Sequence, residues 1–249
     1  MKNIIALSIL WFSAGNSLRS QTRSDTILYM MKPVIVTATR ISESWLEVPL
    51  AINVLEQKDL RQGKGYGLDE ILSGVPGVLA QSRYGSQDVR LTIRGFGARG
   101  AGARSNAGTS RGIRVLVDGF PETEPDGRTS FDLVDLSGAG SVEVVRSNAS
   151  ALWGNAAGGI VNVMSATDFD RSFVEAQSFF GSFGFQKNRV QAGALLGTGR
   201  FFFSANNSKF DGWRVHSSGS QFLVNTGIIS SMGEDTRLGV YLTGTSNLF

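Results

Sequence analysis

From residue 172 onward the chain repeats with a period of two, and no other feature limits its possible folds so tightly. Val174, Ala176 and Phe180 alternate with Glu175 and Gln177. Val190, Ala192, Ala194 and Leu196 alternate with Arg189, Gln191 and Gly193; Phe201, Phe203 and Ala205 alternate with Phe202, Ser204 and Asn206. Phe222, Val224, Thr226 and Ile228 alternate with Gln221, Asn225 and Gly227, and Leu238, Val240 and Leu242 with Arg237, Gly239 and Thr243. Successive side chains of a strand point to opposite faces, so this pattern predicts antiparallel strands with two unlike faces. Each segment runs for about 8–12 residues, close to the ~9–11 that a strand needs to cross a membrane in a barrel. Half of a soluble antiparallel sandwich would alternate in the same way. Gly, Ser, Asn, Gln and a few charges on one face favour the barrel. A water-filled or plugged lumen accepts them, whereas a dry core rejects them.

Composition removes several classes of chemistry. The 249 residues carry 24 Lys and Arg against 21 Asp and Glu, a formal charge of +3, without a long basic run. Binding of nucleic acid by phosphate neutralisation is not expected. Cysteine is absent, which excludes thiol nucleophiles, zinc–thiolate sites, CxxC motifs and disulfides. A single histidine, His216, leaves a His-based metal cluster or a Ser-His-Asp triad with almost nothing to work with. With 31 glycines and 16 phenylalanines, the chain suits turns and strands rather than a helical bundle. Neither a metal nor an organic cofactor is expected.

The N-terminus reads as a targeting signal. Lys2 precedes the apolar run Ile4–Phe12, and Ser13, Ala14, Gly15 and Ser17 supply small residues for cleavage between positions 15 and 21. Residues 1–20 are therefore assigned as a signal peptide. A polar stretch ends at Lys32-Pro33, and Val34-Ile35-Val36-Thr37-Ala38-Thr39-Arg40 follows, rich in β-branched residues. Such a run is either offered to a partner by strand addition or forms the first strand of the next domain.

Residues 41–165 read as a compact α+β domain. Strands are expected at Ala51–Leu55, Val89–Arg94, Ile113–Val117, Val142–Val145 and Gly159–Val163, with a short helix at Glu56–Arg61. Leu68, Ile71 and Leu72 fall on one helical face, and Pro76-Gly77 ends that helix. Gly95-Phe96-Gly97-Ala98-Arg99-Gly100 matches a dinucleotide fingerprint, with Asp118 about 20 residues further on. A pyrophosphate, however, needs a helix N-terminus, and residues 101–112 hold Gly102, Gly108 and Gly112 with almost no large apolar side chain. A surface glycine loop is the better reading. The acidic run Asp118, Glu122, Glu124 and Asp126 is broken by Pro121 and Pro125 and lacks EF-hand spacing. It is read as a solvated turn.

Taken in order, several motifs resemble the N-terminal part of a TonB-dependent outer-membrane receptor. Val34-Ile35-Val36-Thr37-Ala38 resembles the TonB box, with Asp25–Tyr29 a weaker second candidate. Ile71–Val78 resembles the early plug helix and its Pro-Gly exit. Ile93-Arg94-Gly95-Phe96-Gly97, Val115-Leu116-Val117-Asp118-Gly119 and Val142-Glu143-Val144-Val145-Arg146 follow in the family's order. Ser150–Gly154 and Ala157–Val163 close the series. Ser147-Asn148 departs from it, since the family places Gly after the Arg, in a left-handed turn.

The resemblance implies an α+β plug domain followed by the first antiparallel β-strands of an incomplete transmembrane β-barrel. Residues 21–40 are then a periplasmic tether with the TonB box, 41–165 the plug and 166–249 the first barrel strands. A TonB-type energy-transducing protein would bind residues 34–38, exposed to the periplasm. Arg94, Glu143 and Arg146 resemble plug charges that latch onto barrel carboxylates. Arg99, Arg104 and Arg111, in apical loops, would contact an anionic extracellular ligand such as a ferric siderophore. Family transporters close about 22 strands around the plug, so five strands point to a fragment or a truncated product. The expected function is energised uptake across a Gram-negative outer membrane, without covalent chemistry. The alternative is a soluble periplasmic or secreted binding module with a plug-like fold.

Overall fold

A computed structural model of the chain describes residues 35–37, 40–41, 43–44, 46–63, 65–82, 89–97, 112–122, 129, 131, 134–232 and 236–248. Fifteen strands and three short helices occur among these, all within the unit Pro33–Phe249. A mixed sheet forms the centre of the plug. Its strands are β3 (Ile52–Glu56), β7 (Ile113–Val117), β8 (Phe120–Pro121), β9 (Ala139–Val145) and β10 (Gly159–Ser165), in the order β3-β9-β10-β7-β8. Only the β10–β7 pair is parallel. A second sheet joins β4 (Val78–Ser82), β5 (Val89–Ile93) and β6 (Phe96–Gly97).

Two of the family-like motifs are tight hairpins. Ile93 pairs with Phe96 and Val117 with Phe120, leaving Arg94-Gly95 and Asp118-Gly119 as two-residue loops. All four loop residues have positive φ, at 50° and 84° for the first pair and 50° and 82° for the second. This is the type I′ turn, whose twist matches that of the strands it joins. Gly97, at φ 112°, also has no room for a side chain: a Cβ there would run into the Leu91 carbonyl oxygen and lie 2.9 Å from Ile113 Cδ1.

The central sheet buries both faces. Val115, Val142, Val144, Val161 and Val163 pack on one side with Leu60 of α1 (Gln57–Gln62) and with Leu68 and Leu72 of α2 (Leu68–Leu72). The Asp59 carboxylate caps α1 by accepting the Glu56 N–H at 3.0 Å. Ile52, Leu116, Val145 and Ile160 form the other face, against Val36, Val48, Ala149 and Ala156. The third helix, α3 (Ser150–Trp153), is held where Arg114 donates twice to the Trp153 carbonyl, at 3.2 and 3.1 Å.

The period-two region is a five-stranded antiparallel meander in sequence order: β11 (Phe173–Phe180), β12 (Gln186–Leu196), β13 (Gly199–Phe210), β14 (Gly219–Ser231) and β15 (Arg237–Leu248). Each strand faces as its alternation predicts. Val174 (80% exposed), Phe180 (75%), Val240 (56%) and Leu242 (67%) point outward, while Lys187, Arg189, Gln191, Ser204, Asn206 and Gln221 are buried on the inner face. β11 and β15 each pair with one strand, so the wall is an open sheet among the described residues. No helix among them is long and apolar enough to cross a membrane, which says nothing about crossing by strands.

The β-branched run at 34–40 contributes β1 (Ile35–Val36), while some elements escaped the sequence reading: β4, β6, β8, α3 and β2 (Glu43–Ser44), the partner of β1. Most are only two to five residues long, too short for any period to register.

Candidate functional site: the N-terminal dock and the plug–wall seam

Glu143 is the unusual residue of the second sheet face. Most of its neighbours there are apolar, and the residue is 2% exposed. Burying a carboxylate is costly unless hydrogen bonds replace its water. Thr37 supplies two donors: its N–H lies 3.0 and 3.1 Å from the two carboxylate oxygens, and its hydroxyl 3.1 and 3.3 Å. Asn162, the cross-strand partner of Glu143, donates to it at 3.5 Å and to the Thr37 hydroxyl at 3.3 Å.

Three further contacts hold the same segment. Ile35 and Val36 pair antiparallel with Ser44 and Glu43. Val36 is completely buried, worth about 1.5–3 kcal/mol as an upper estimate. Arg40, at φ 74°, places its guanidinium 4.5 Å from the Trp153 ring centroid. Exposure of residues 34–38 to the periplasm was expected. For Val36 the structure corrects this, because the apolar face built by Leu116, Val145 and Ile160 covers it. Val34 and Ala38 lie outside the described residues.

Of the three residues assigned to the latch, the structure brings two together. Arg94 donates to the Arg146 carbonyl at 2.9 Å, and Arg146 to the Pro76 carbonyl at 3.2 Å. Glu143 instead serves Thr37 and Asn162. The departure at Ser147-Asn148 puts the family's left-handed turn in doubt, and the turn is not formed: neither residue has positive φ. In its place the Ser147 hydroxyl accepts the Ala51 N–H at 2.9 Å, and the Asn148 side chain accepts the Ser150 N–H at 2.9 Å. Arg99, Arg104 and Arg111, the signal peptide and the second box candidate lie outside the described residues. Asp118, once a candidate ribose ligand, is engaged within the fold: Ser165 donates to it from its N–H at 2.8 Å and its hydroxyl at 2.7 Å. Burial raises the Asp118 pKa against the lowering effect of these bonds, and burial alone raises that of Glu122. No cluster of metal-ligating side chains occurs among the described residues.

The plug–wall seam was not foreseen. Asp135, 5% exposed, accepts from the Ser137 N–H at 2.9 Å, the Ser204 hydroxyl at 2.7 Å, Asn206 at 2.9 Å and Asn225 at 3.1 Å. The Ser137 carbonyl accepts from Arg189 at 3.3 Å and from Gln191. Lys187 donates to the Gly65 carbonyl, and Arg61 of α1 pairs with Glu175 of β11 at 2.8 Å. Every wall strand from β11 to β14 thus grips the plug through a side chain of the inner face. Alternation exposed the wall half of this seam: Arg189, Gln191, Asn206 and Asn225 all have lumen-facing parity. The plug half carried no local signal, because Asp135 is 69 to 90 residues from its wall partners.

Residues 45–160 match the family model described as the TonB-dependent Receptor Plug Domain. These residues form a plug domain of the TonB-dependent receptor kind. Among curated relatives of this chain is a vitamin B12 transporter of Photobacterium profundum, 27% identical over 154 residues, which are 61% of this chain and 23% of the relative. A hemin receptor of Yersinia enterocolitica is 27% identical over 146 residues, 57% of this chain and 19% of the relative. The chain therefore matches about a quarter or less of the length of these relatives. The pyoverdine outer membrane receptor FpvA of Pseudomonas aeruginosa shares the chain's fold. Its TM-score is 0.69 at 17% identity, over 86% of this chain and 30% of that one.

Proposed function

We propose that this chain acts in energised import of a scarce ligand across a Gram-negative outer membrane, with the plug held inside a β-barrel wall. One observation carries the reading: burial in the wall is inverted relative to a water-soluble sheet. Lys187, Arg189 and Gln191 are enclosed while Val174, Phe180 and Leu242 face out. Lipid satisfies that outer face and water does not. The alternative, a soluble binding module, would leave those side chains in water and is disfavoured for that reason. Import requires strands against the open edges of β11 and β15, because an unpaired edge in lipid costs several kcal/mol per backbone group.

In this reading residues 1–20 are a signal peptide, 21–40 a tether, 41–165 the plug and 166–249 wall strands. A TonB-type transducer takes residues 34–38 by strand addition. Arg99, Arg104 and Arg111 face an anionic ligand, and Arg94, Glu143 and Arg146 act as an internal latch of the resting state, Glu143 through the N-terminal segment. The ligand is a scarce chelate; the relatives' names, a vitamin B12 transporter and a hemin receptor, set the range to test. Lipid covers the outer face, no nucleic acid takes part, and no bond in the ligand is made or broken.

The test is Val36→Pro. Proline removes a strand donor, so cells carrying the variant should bind ferric siderophore, hemin or cobalamin as the parent does while energised uptake of the bound compound is lost. Unchanged uptake would refute the assignment of residues 34–38.

A further inference from the structure

The two polar clusters described above sit at opposite ends of one strand. Asp135 and Ser137 lie immediately before β9, which begins at Ala139, and Glu143 lies two residues before its end at Val145. The first cluster ties the plug to β12, β13 and β14 through Arg189, Gln191, Ser204, Asn206 and Asn225. The second ties the N-terminal segment to the plug through Thr37.

We propose that β9 has a fixed end and a releasable end: Asp135 and Ser137 keep the plug seated on the wall, while Glu143 releases the N-terminal segment without disturbing that seat. The geometry separates the two functions. At the fixed end one buried carboxylate gathers four donors, three of them from two neighbouring wall strands, and the adjacent carbonyl takes two more from a third. Breaking this seat means separating several buried polar groups at once, across strands that are themselves cross-paired over their whole length. At the releasable end Thr37 supplies two docking donors, beside a two-residue ladder, the buried Val36 side chain and the Arg40 guanidinium over Trp153, and none of these contacts reaches the wall strands. Asn162 stays beside Glu143 after Thr37 departs, so the carboxylate keeps a donor in the released state. The inference rests on the reading of residues 34–38 as the pulled end. Its mechanical core, the independence of the two ends, is measurable without any transport.

The absence of cysteine makes every introduced thiol a clean reporter. Val36→Cys reports the dock, since Val36 is 0% exposed. Ser204→Cys reports the seat, since Ser204 is 0% exposed and the position of a Gly138 Cβ would lie 3.0 Å from its Cβ. Each single-thiol full-length chain is labelled with an impermeant maleimide, in whichever cell fraction holds the protein. Adding Glu143→Gln should raise the labelling rate at position 36 about tenfold, on the scale of a lost charge-assisted hydrogen bond, and leave position 204 unchanged. Adding Asp135→Ala should do the reverse. Asn206→Ala, a milder change on the wall, should also expose position 204 and serves if Asp135→Ala does not assemble. Continued protection of position 36 in Glu143→Gln, or joint exposure of both thiols in either background, would overturn the proposal. A failure of Val36→Pro to block uptake would strike the assignment of residues 34–38 as the pulled end and leave this result untouched.

Discussion

The backbone N–H of Thr37 lies 3.0 and 3.1 Å from the two carboxylate oxygens of Glu143, 106 residues further along the chain. Glu143→Ala would take that acceptor from the Thr37 N–H and one of several acceptors from the Asn162 amide, at a cost of about 1–3 kcal/mol. Amide hydrogen exchange at Thr37 should quicken in the variant while exchange in β12 and β13 stays as it was. Equal protection of Thr37 in parent and variant would show that the carboxylate does not hold the segment.

The two glycines of the first hairpin should respond differently. A Cβ on Gly95 meets nothing within 4 Å, whereas one on Gly97 would run into the Leu91 carbonyl and sit 2.9 Å from Ile113 Cδ1. Gly95→Ala pays only for its positive φ, roughly 1–2 kcal/mol. Gly97→Ala adds a backbone clash and should cost clearly more in a denaturant titration. Equal losses would mean that the β5–β6 hairpin relaxes freely.

Acid should strengthen the fold locally at Asp118. Burial raises its pKa above the usual 3.8, so in the pH range just above that value the folded state binds more protons than the unfolded state. Stability from this group therefore falls as pH rises through the window, the opposite of a salt-bridged aspartate. Asp118→Asn should remove that slope. The stability difference between parent and variant, followed by denaturant midpoint from acidic to neutral pH, should change across the window; a flat difference would contradict the burial argument.

How much of this was legible in the residues depends on range. Val190, Phe203 and Leu242 point outward and Gln191, Ser204 and Asn206 inward, as a period of two requires. Asp118-Gly119 announces its turn through residue types that tolerate positive φ, whereas Arg94, read as the end of a strand, gave no such signal for the turn it enters. What stayed hidden were pairings across long stretches of chain. Nothing near Asp135 says that Asn206 will donate to it, and nothing near Glu143 says that Thr37 will cover it. The match to a TonB box pointed to an exposed strand at Val36, but the apolar face of β9 and β10 was a better neighbour for it than water.

The outer face of the wall offers a sharp contrast. Leu242 is 67% exposed on β15. If lipid lies against it, Leu242→Arg costs up to about 2–4 kcal/mol near the bilayer midplane and should reduce the amount of assembled protein in membranes. In water the same change would be close to neutral and would improve solubility.

The most direct test of the account is where the protein resides and how it migrates. Membranes and periplasm of the producing cells would be separated, the membranes washed with alkaline carbonate, and the chain followed by antibody to residues 41–165 with and without heating. The account predicts that the protein stays in the outer-membrane pellet and changes mobility on boiling, as a folded wall does when it is denatured. A soluble periplasmic band whose mobility is the same before and after boiling would contradict it.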